Sequence, residues 1–420
     1  MCPTPKKKSL THCLQPRRFE PVSFPLPVSA YPPGQTTRVG VGLSAPRRTR
    51  ALRINFRRMK RNDSATEPLT YKQAGVDIEA GDTMVDQIKH LCQRTYGPRV
   101  LGKYGGFAGM FRLDFNEKLF ARNYREPVLI ACTDGVGTKI KIAAQMKKYD
   151  TIGIDLVAMS VNDLIVQGGE PLIFLDYLAV HKLDPQMTTE MVKGVSEGCV
   201  QAGAALLGGE TAEMPSVYAP GEFDMAGFAV GVVERSKILE GSDVEIGDSI
   251  IGLASSGLHS NGYALVRKIC FDKLGMSPDD HVAELGCTLG EELLRPTRIY
   301  VKSTSEIMKK YKVKKIIKAM SHITGGGLPG NLPRVLPESM AAKIKRSAWP
   351  VPPIFHFLQT HGPVDAEEMF NVFNMGIGYV MVVRPNFTRS IMTGLRALGE
   401  KPYFLGKVKK ASGESLIEWS

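Results

Sequence analysis

The chain has 420 residues, with 54 Lys plus Arg against 42 Asp plus Glu, a formal charge of +12 and 43% hydrophobic content. Those proportions describe a globular protein, and no run approaches the roughly 18 uninterrupted apolar residues of a membrane-spanning helix. A basic balance suggests a nucleic-acid or anionic-membrane partner, but residues 1–58 alone hold three lysines, nine arginines and one acid, Glu20, a charge of +11, which leaves +1 for everything from Met59 onward.

The leader, residues 1–58, also holds nine of the 27 prolines and little apolar periodicity, so its composition predicts a segment that does not fold by itself. A start at Met59, with the upstream stretch untranslated, fits equally. A transit peptide is the second reading: the balance is Arg-rich and acid-poor, but serines are few and prolines too many. A secretory signal fails for want of an apolar core. Seven scattered cysteines without CxxC or Cys/His metal spacing fit reduced thiols, with Cys132 and Cys199 expected in plain packing.

After Met59, apolar runs alternate with amphipathic segments, which predicts an α/β or α+β fold. The first feature is a glycine cluster, Gly105, Gly106 and Gly109. Residues 128–133 (VLIACT) read as a buried strand that ends abruptly in Asp134, Gly135, Val136, Gly137, Thr138 and Lys139. Residues 151–168 (TIGIDLVAMSVNDLIVQG) read as a helix apolar on nearly all sides. A strand over 172–179, a helix over 188–205 and a strand entering Gly208, Gly209, Glu210 and Thr211 follow, and 227–233 closes this half. A boundary at 234–247 divides the chain into a leader (1–58), an N-terminal domain (59–235) and a C-terminal domain (236–420). The second half opens with a strand near 249–253, followed by the turn SSGLHSNG (255–262). A helical stretch over 291–311, a glycine turn at 325–327, and strands near 376–383 and 402–408 complete it.

The residues that demand chemistry are the acids. Asp155, Asn162 and Asp163 lie at i, i+7 and i+8 of the apolar helix, and buried carboxylates are costly unless paired or bound to a metal. The spacing favours a hard cation over a salt bridge or cap. Asp134, at a strand end beside backbone amides and Lys139, supplies a matching carboxylate, and Mg²⁺ prefers such oxygens together with phosphate. The Gly208–Thr211 turn adds Glu210. These features together describe a nucleotide-phosphate site without a Walker loop. In the second half, His259 sits in a polar glycine turn that suits a phosphate or sugar, with a structural histidine nearly as good a reading; His322, ahead of Gly325, has the same ambiguity. GGGLPG (325–330) and GVSEG (194–198) match nucleotide and nucleophile signatures only superficially, because one contains Pro329 and the other lies mid-helix.

In order along the chain stand YKQAGVD (71–77), TDGVGTK (133–139), GIDLVAMSVNDLIVQG (153–168), GGETAEMP (208–215), SSGLHSNG (255–262), PTRIY (296–300), HITGGG (322–327) and LPRVLP (332–337). These blocks closely resemble the phosphoribosylformylglycinamidine cyclo-ligase (aminoimidazole ribonucleotide synthetase) family, from about residue 70 to the C-terminus. The resemblance implies two α/β domains per subunit, with N-terminal sheets pairing across a homodimer, in the cytoplasm or, given a transit peptide, in an organelle. It implies that ATP activates the formyl-derived amide oxygen of formylglycinamidine ribonucleotide, whose own amine closes the imidazole ring as phosphate leaves, in purine biosynthesis. It places Mg²⁺ on Asp134, Asp163 and Glu210. ATP falls to Gly105, Gly106, Gly109, Asp134, Gly135, Gly137, Thr138, Lys139, Gly209, Glu210 and Thr211, and substrate to Ser256, His259, Ser260, Asn261 and Gly262. Lys72 and Asp77 lie on a closing N-terminal segment, and His259 handles a proton. No membrane or nucleic-acid partner is implied. Two positions depart from the pattern: Ser216 stands where glycine is expected, and 110–124 is longer than typical. Sibling enzymes are the nearest rivals: an amidotransferase synthase would need extra domains, and a selenophosphate synthetase a reactive Cys near the first glycine loop. Thiamine-monophosphate kinase is the third. A nucleic-acid-binding protein driven by the basic leader is the rival from another class.

Overall fold

In the computed structural model the described residues are 77–102, 104–106, 108–114, 123–311, 315–413 and 416–420. The leader, Lys72 and most of the 71–77 block therefore lie outside the described residues. Helix α1 (Ile78–Gln93) starts at Asp77, whose carboxylate accepts the Ala80 amide at 3.3 Å. It is followed by β1 (Pro127–Gly135), α2 (Ile152–Leu164), β2 (Glu170–Val180), α3 (Pro185–Ala202), β3 (Ala205–Glu213) and β4 (Phe223–Glu234). The four strands form one sheet in the order β1-β4-β2-β3, antiparallel except for the β2/β3 pair. Each predicted strand and helix of this half is present, with ends shifted by a few residues, but β1, expected to be buried, is an edge strand whose alternate residues are exposed because one face of the sheet is uncovered.

The apolar helix α2 is buried around most of its circumference because it is packed between the sheet and α3. The two helices touch through glycine. A Cβ on Gly153 would stand 2.2 Å from the Val195 nitrogen, and one on Gly194 would stand 2.6 Å from the Asp150 carbonyl oxygen. The GVSEG run is thus the seam of a helix pair, and its Ser196 hydroxyl donates to the Leu91 carbonyl at 2.6 Å. The opposite face of the sheet is open: Leu129, Phe228 and Leu175, on three neighbouring strands, are 64%, 42% and 37% exposed.

From Ser249 the chain builds a second sheet, with both sheets inside the unit that spans residues 67–420. Its strands are β5 (Ser249–Ala254), β6 (Ile317–His322), β7 (Met340–Ile344), β8 (Ile377–Val383), β9 (Pro402–Lys410) and β10 (Ile417–Trp419), in the order β6-β8-β5-β9-β7-β10. The central strands β5 and β8 are mostly apolar and buried almost end to end, as strands covered on both faces must be. The helical stretch expected over 291–311 is instead two helices, Leu289–Leu293 and Val301–Lys310, with the PTRIY block as the irregular segment between them. Pro296 cannot donate to a helix, and it biases Arg295 away from helical backbone. Among the described residues no helix is long and apolar enough to cross a membrane, and Cys92, Cys132, Cys199, Cys270 and Cys287 are free thiols.

Candidate active site

Three ionisable groups from separate elements converge at the end of β1. Asp134 accepts the Gly135 amide at 2.8 Å. Burial raises its carboxyl above the ordinary carboxylate value; the Gly135 bond opposes this, the Asp163 charge adds to it and His322 counteracts it. Asp163 stands on the last turn of α2, and its Oδ1 lies 2.8 Å from His322 Nδ1 at the end of β6. Its side chain is half exposed whereas that of His322 is buried. His322 Nε2 is buried with no protein partner. The sequence marked His322 only as an ambiguous turn residue; its place at the end of a buried strand was the available signal.

The other two polar residues of α2 point elsewhere. At about 100° per residue, Asp155 and Asn162 share a line along the helix, while Asp163 is turned about a quarter-circle away. The single-stripe cation reading is therefore corrected: Asp155 and Asn162 fasten α2 to the PTRIY segment. Asn162 accepts the Tyr300 amide at 3.0 Å and donates to the Arg298 carbonyl at 2.8 Å. Asp155 Oδ1 accepts from Lys139 Nζ (2.9 Å), Ser260 Oγ (3.1 Å), and the Thr297 amide and hydroxyl (2.7 and 2.6 Å).

Lys139 is fully buried. Besides Asp155, its ammonium donates to the backbone carbonyls of His259 at 3.2 Å and Arg295 at 2.6 Å. Desolvation lowers its pKa, and Asp155 pulls in the opposite direction. An ammonium has three N–H donors, and all three have acceptors here. The placement does not suit the phosphate role expected from the sequence. Gly137 and Thr138 form the short turn that delivers this lysine inward.

The SSGLHSNG turn is likewise committed to internal bonds. Ser256 Oγ donates to the Pro296 carbonyl at 2.6 Å, and the Ser256 amide donates to His259 Nε2 at 3.2 Å. His259 is 1% exposed and its Nδ1 has no protein partner. Burial holds its pKa well below the ordinary histidine value, helped by the charges of His322, Lys139 and Arg298. Such a ring is a neutral donor and acceptor rather than a proton carrier near pH 7. Gly262 is at φ 76°, and a Cβ there would meet the Phe373 ring at 2.2 Å. Asn261 is half-buried, so its carboxamide is the side chain of this turn best placed to reach a ligand.

Glu210 does not join the acids. Cross-strand partners run Asp134, Gly227, Asp176, Gly209, so Gly209 is three inter-strand spacings, about 14 Å, from Asp134. Glu210 follows on the exposed edge strand, with Thr211 partly buried beside it. Among the described residues no group of three or more His, Cys, Asp or Glu is arranged to hold a metal. The expected three-acid set thus reduces, within one subunit, to Asp134 and Asp163. The first glycine cluster lies instead with the β3 edge: a Cβ on Gly109 would stand 2.3 Å from Leu207 Cγ, whereas around Gly105, at φ 84°, there is open space; Gly106 is exposed. Asp77 is occupied as a helix cap, and its amide donates to Glu213 at 2.7 Å. Sequence reasoning missed Asp176, a buried carboxyl raised to about 7 by desolvation. It hid in a run that reads as strand, LIFLDYLA.

Comparison with known proteins agrees with this arrangement. The N-terminal domain model of AIR synthase related proteins matches residues 122–233, and the C-terminal domain model matches residues 245–418. The phosphoribosylformylglycinamidine cyclo-ligase of Syntrophotalea carbinolica is 51% identical over 351 residues, 84% of this chain and 97% of that one. That of Citrifermentans bemidjiense is 54% identical over 351 residues, covering 83% and 98%. Among solved structures, thiamine-monophosphate kinase from Stenotrophomonas maltophilia aligns with a TM-score of 0.58 at 16% identity, over 80% of this chain and 96% of that one. The hydrogenase maturation protein HypE in complex with ATP aligns at 0.54 and 15% identity, over 80% and 91%; at such identities the likeness is one of fold. The sequence relatives decide the family: the chain belongs to the phosphoribosylformylglycinamidine cyclo-ligases, with the two AIR synthase related domains in order.

Proposed function

We propose that the protein catalyses the ATP-dependent cyclisation of formylglycinamidine ribonucleotide to 5-aminoimidazole ribonucleotide, with release of ADP and phosphate, as a step of purine biosynthesis. The observation that carries this reading is identity of about half over nearly the whole length of relatives that bear the cyclo-ligase name. The site chemistry is consistent with it. Phosphoryl transfer asks chiefly for positioning and charge neutralisation, and ring closure within one molecule asks for a fixed conformation.

Asp134 and Asp163 fit Mg²⁺: two carboxylates, one partly desolvated and one half exposed, suit an ion that takes one or two protein oxygens and completes its shell with phosphate and water. When bound, Mg²⁺ supplies neutralisation of the ATP phosphates. The chain's own part is to orient Asp163 through His322, to leave open backbone at Gly105 and Gly106 for a nucleotide, and to offer Asn261 to the substrate. The open sheet face around Leu129, Phe228 and Leu175 supports a homodimer that covers it, since apolar patches of this kind mark interfaces. In a dimer, Glu210 on the edge strand would be free to serve a site shared between subunits. We further assign residues 59–235 to the nucleotide half and 236–420 to the substrate half, and the cytoplasm as the compartment.

The test is turnover by the purified protein. Formation of the aminoimidazole, detected by diazo coupling of its amine, should require Mg²⁺ and ATP and match ADP release one for one. Absence of turnover on this substrate, with consumption of thiamine monophosphate or selenide instead, would replace the assignment with a sibling activity.

A further inference from the structure

Lys139 stands inside a motif that reads as phosphate-binding, yet its ammonium has no N–H left for a phosphate. Its three acceptors are Asp155 Oδ1, the Arg295 carbonyl and the His259 carbonyl. The last of these matters most. His259 lies at φ 62°, in the left-handed region, where a side chain strains the backbone. Lys139 grips its carbonyl, and Asp155 grips the next side chain, Ser260. The strained turn is thus held on both sides by one buried ion pair.

The imidazole is fixed as well. The Ser256 amide donates to Nε2, so Nε2 carries the lone pair and, in the neutral ring, Nδ1 carries the hydrogen. A Cβ on Gly378 would stand 2.4 Å from Cε1, so β8 forms a wall against the ring. Nδ1 is the one ring nitrogen without a partner, and it is buried. A buried unpaired donor is costly, which makes it a group that gains when a ligand brings an acceptor.

Building on the cyclo-ligase reading, we propose that Lys139 is a positioning residue and not a nucleotide ligand: with Asp155 it fixes the backbone of His259 so that the ring presents a neutral Nδ1–H donor to an oxygen of the bound substrate. The three sequence blocks TDGVGTK, SSGLHSNG and PTRIY then meet at Asp155 for one purpose, the aim of this imidazole.

The full chain with ¹⁵N-labelled histidine reports the tautomer directly, the His259 signal being assigned by its loss in His259→Asn. The wild type should show a protonated Nδ1 and a bare Nε2, unchanged between about pH 6 and pH 8; a protonated Nε2 overturns the proposal. Lys139→Met/Asp155→Asn removes the pair without stranding a buried charge. Calorimetry should give ATP affinity close to wild type, kcat should fall about 100-fold as for a misplaced group, and the single-tautomer signal should be lost. Adding His259→Ala to the pair variant should then cost little more, because both changes remove the same effect. ATP affinity weakened about tenfold or more, the loss of a charge-assisted bond, with kcat retained at saturation, would return Lys139 to the nucleotide. Thr297→Val, which takes one donor from Asp155, is the milder variant if the pair variant does not fold: kcat should fall at unchanged ATP affinity, and unchanged kcat counts against the proposal. Failure of the cyclo-ligase reading appears separately, as a wild type without turnover whose tautomer and ATP affinity are still measurable.

Discussion

Asp176→Asn tests how far burial alone perturbs the sheet beneath the glycine edge. Asp176 lies in the cross-strand row between Gly227 and Gly209, and its Oδ1 lies where a Gly209 Cβ would be, 2.0 Å from that position. Desolvation raises its pKa from 3.8 to about 7. The neighbours that face it do not titrate at neutral pH: Cys92 is pushed up to about 12, and Cys199 and Tyr104 are also raised by burial. The folded state therefore holds a proton that the unfolded chain releases, and stability falls as pH rises from the unfolded pKa to the folded one. Between pH 5.5 and 7 that slope amounts to about 2 kcal/mol, and above 7 it flattens. Asparagine has the same shape and no proton to lose, so the stability of the variant relative to wild type should improve by about 2 kcal/mol from pH 5.5 to pH 8. Thermal unfolding of both proteins at the two pH values measures it, as a difference in Tm that widens by a few degrees. A Tm difference that stays constant with pH would show that Asp176 ionises normally and that burial is not its dominant influence.

Three other substitutions separate structure from chemistry. Ser216 follows the GGETAEMP block at φ 85° on an exposed turn; Ser216→Gly should raise stability by about 0.5–1 kcal/mol, the left-handed strain less the entropy glycine restores to the unfolded chain, as read by thermal unfolding with activity unchanged. Gly378→Ala places a carbon 2.2 Å from the Tyr300 hydroxyl and 2.4 Å from His259 Cε1, so the soluble fraction and the Tm should drop by the equivalent of about 1–3 kcal/mol or more; a normal Tm would mean the wall against His259 is softer than drawn. Asp163→Asn removes a half-exposed carboxylate, which folding tolerates, so Tm should hold while turnover falls by about two orders of magnitude or more and the Mg²⁺ concentration for half-maximal rate rises. Near-normal kinetics would take Asp163 out of the metal site.

The fold was legible wherever one physical rule governed a segment. The apolar run 250–253 is a central strand because both faces are covered, whereas 128–133 is an edge strand with alternate residues exposed, and the apolar girth of 153–164 marks a helix buried between a sheet and another helix. The split of 291–311 escaped because amphipathic spacing continues on either side of Pro296; that proline, together with polar anchors of the PTRIY segment supplied by residues some 140 positions earlier, holds the segment out of helix. Asp134 and Asp163 were legible as acids in apolar surroundings. His322, their partner, was not, since the strand that carries it arrives from the other half of the chain.

The same limit explains Lys139. A glycine turn with a lysine after it has the local chemistry of a phosphate loop, and nothing within that turn distinguishes a lysine aimed at a ligand from one aimed into the protein. What distinguishes them is a count of acceptors, and those belong to Asp155, His259 and Arg295, which are 16, 120 and 156 residues away. A motif specifies residue types along the chain, whereas a site is specified by which donors still lack acceptors once the chain has folded. By that measure Asp134, Asp163 and Asn261 face outward from this protein's long motif blocks, while Lys139, Asp155, Ser256 and Ser260 spend their hydrogen bonds on holding the blocks together. Among the groups left unspent are Nδ1 of His259 and, beside the two outward-facing acids, Nε2 of His322, both buried without a protein partner.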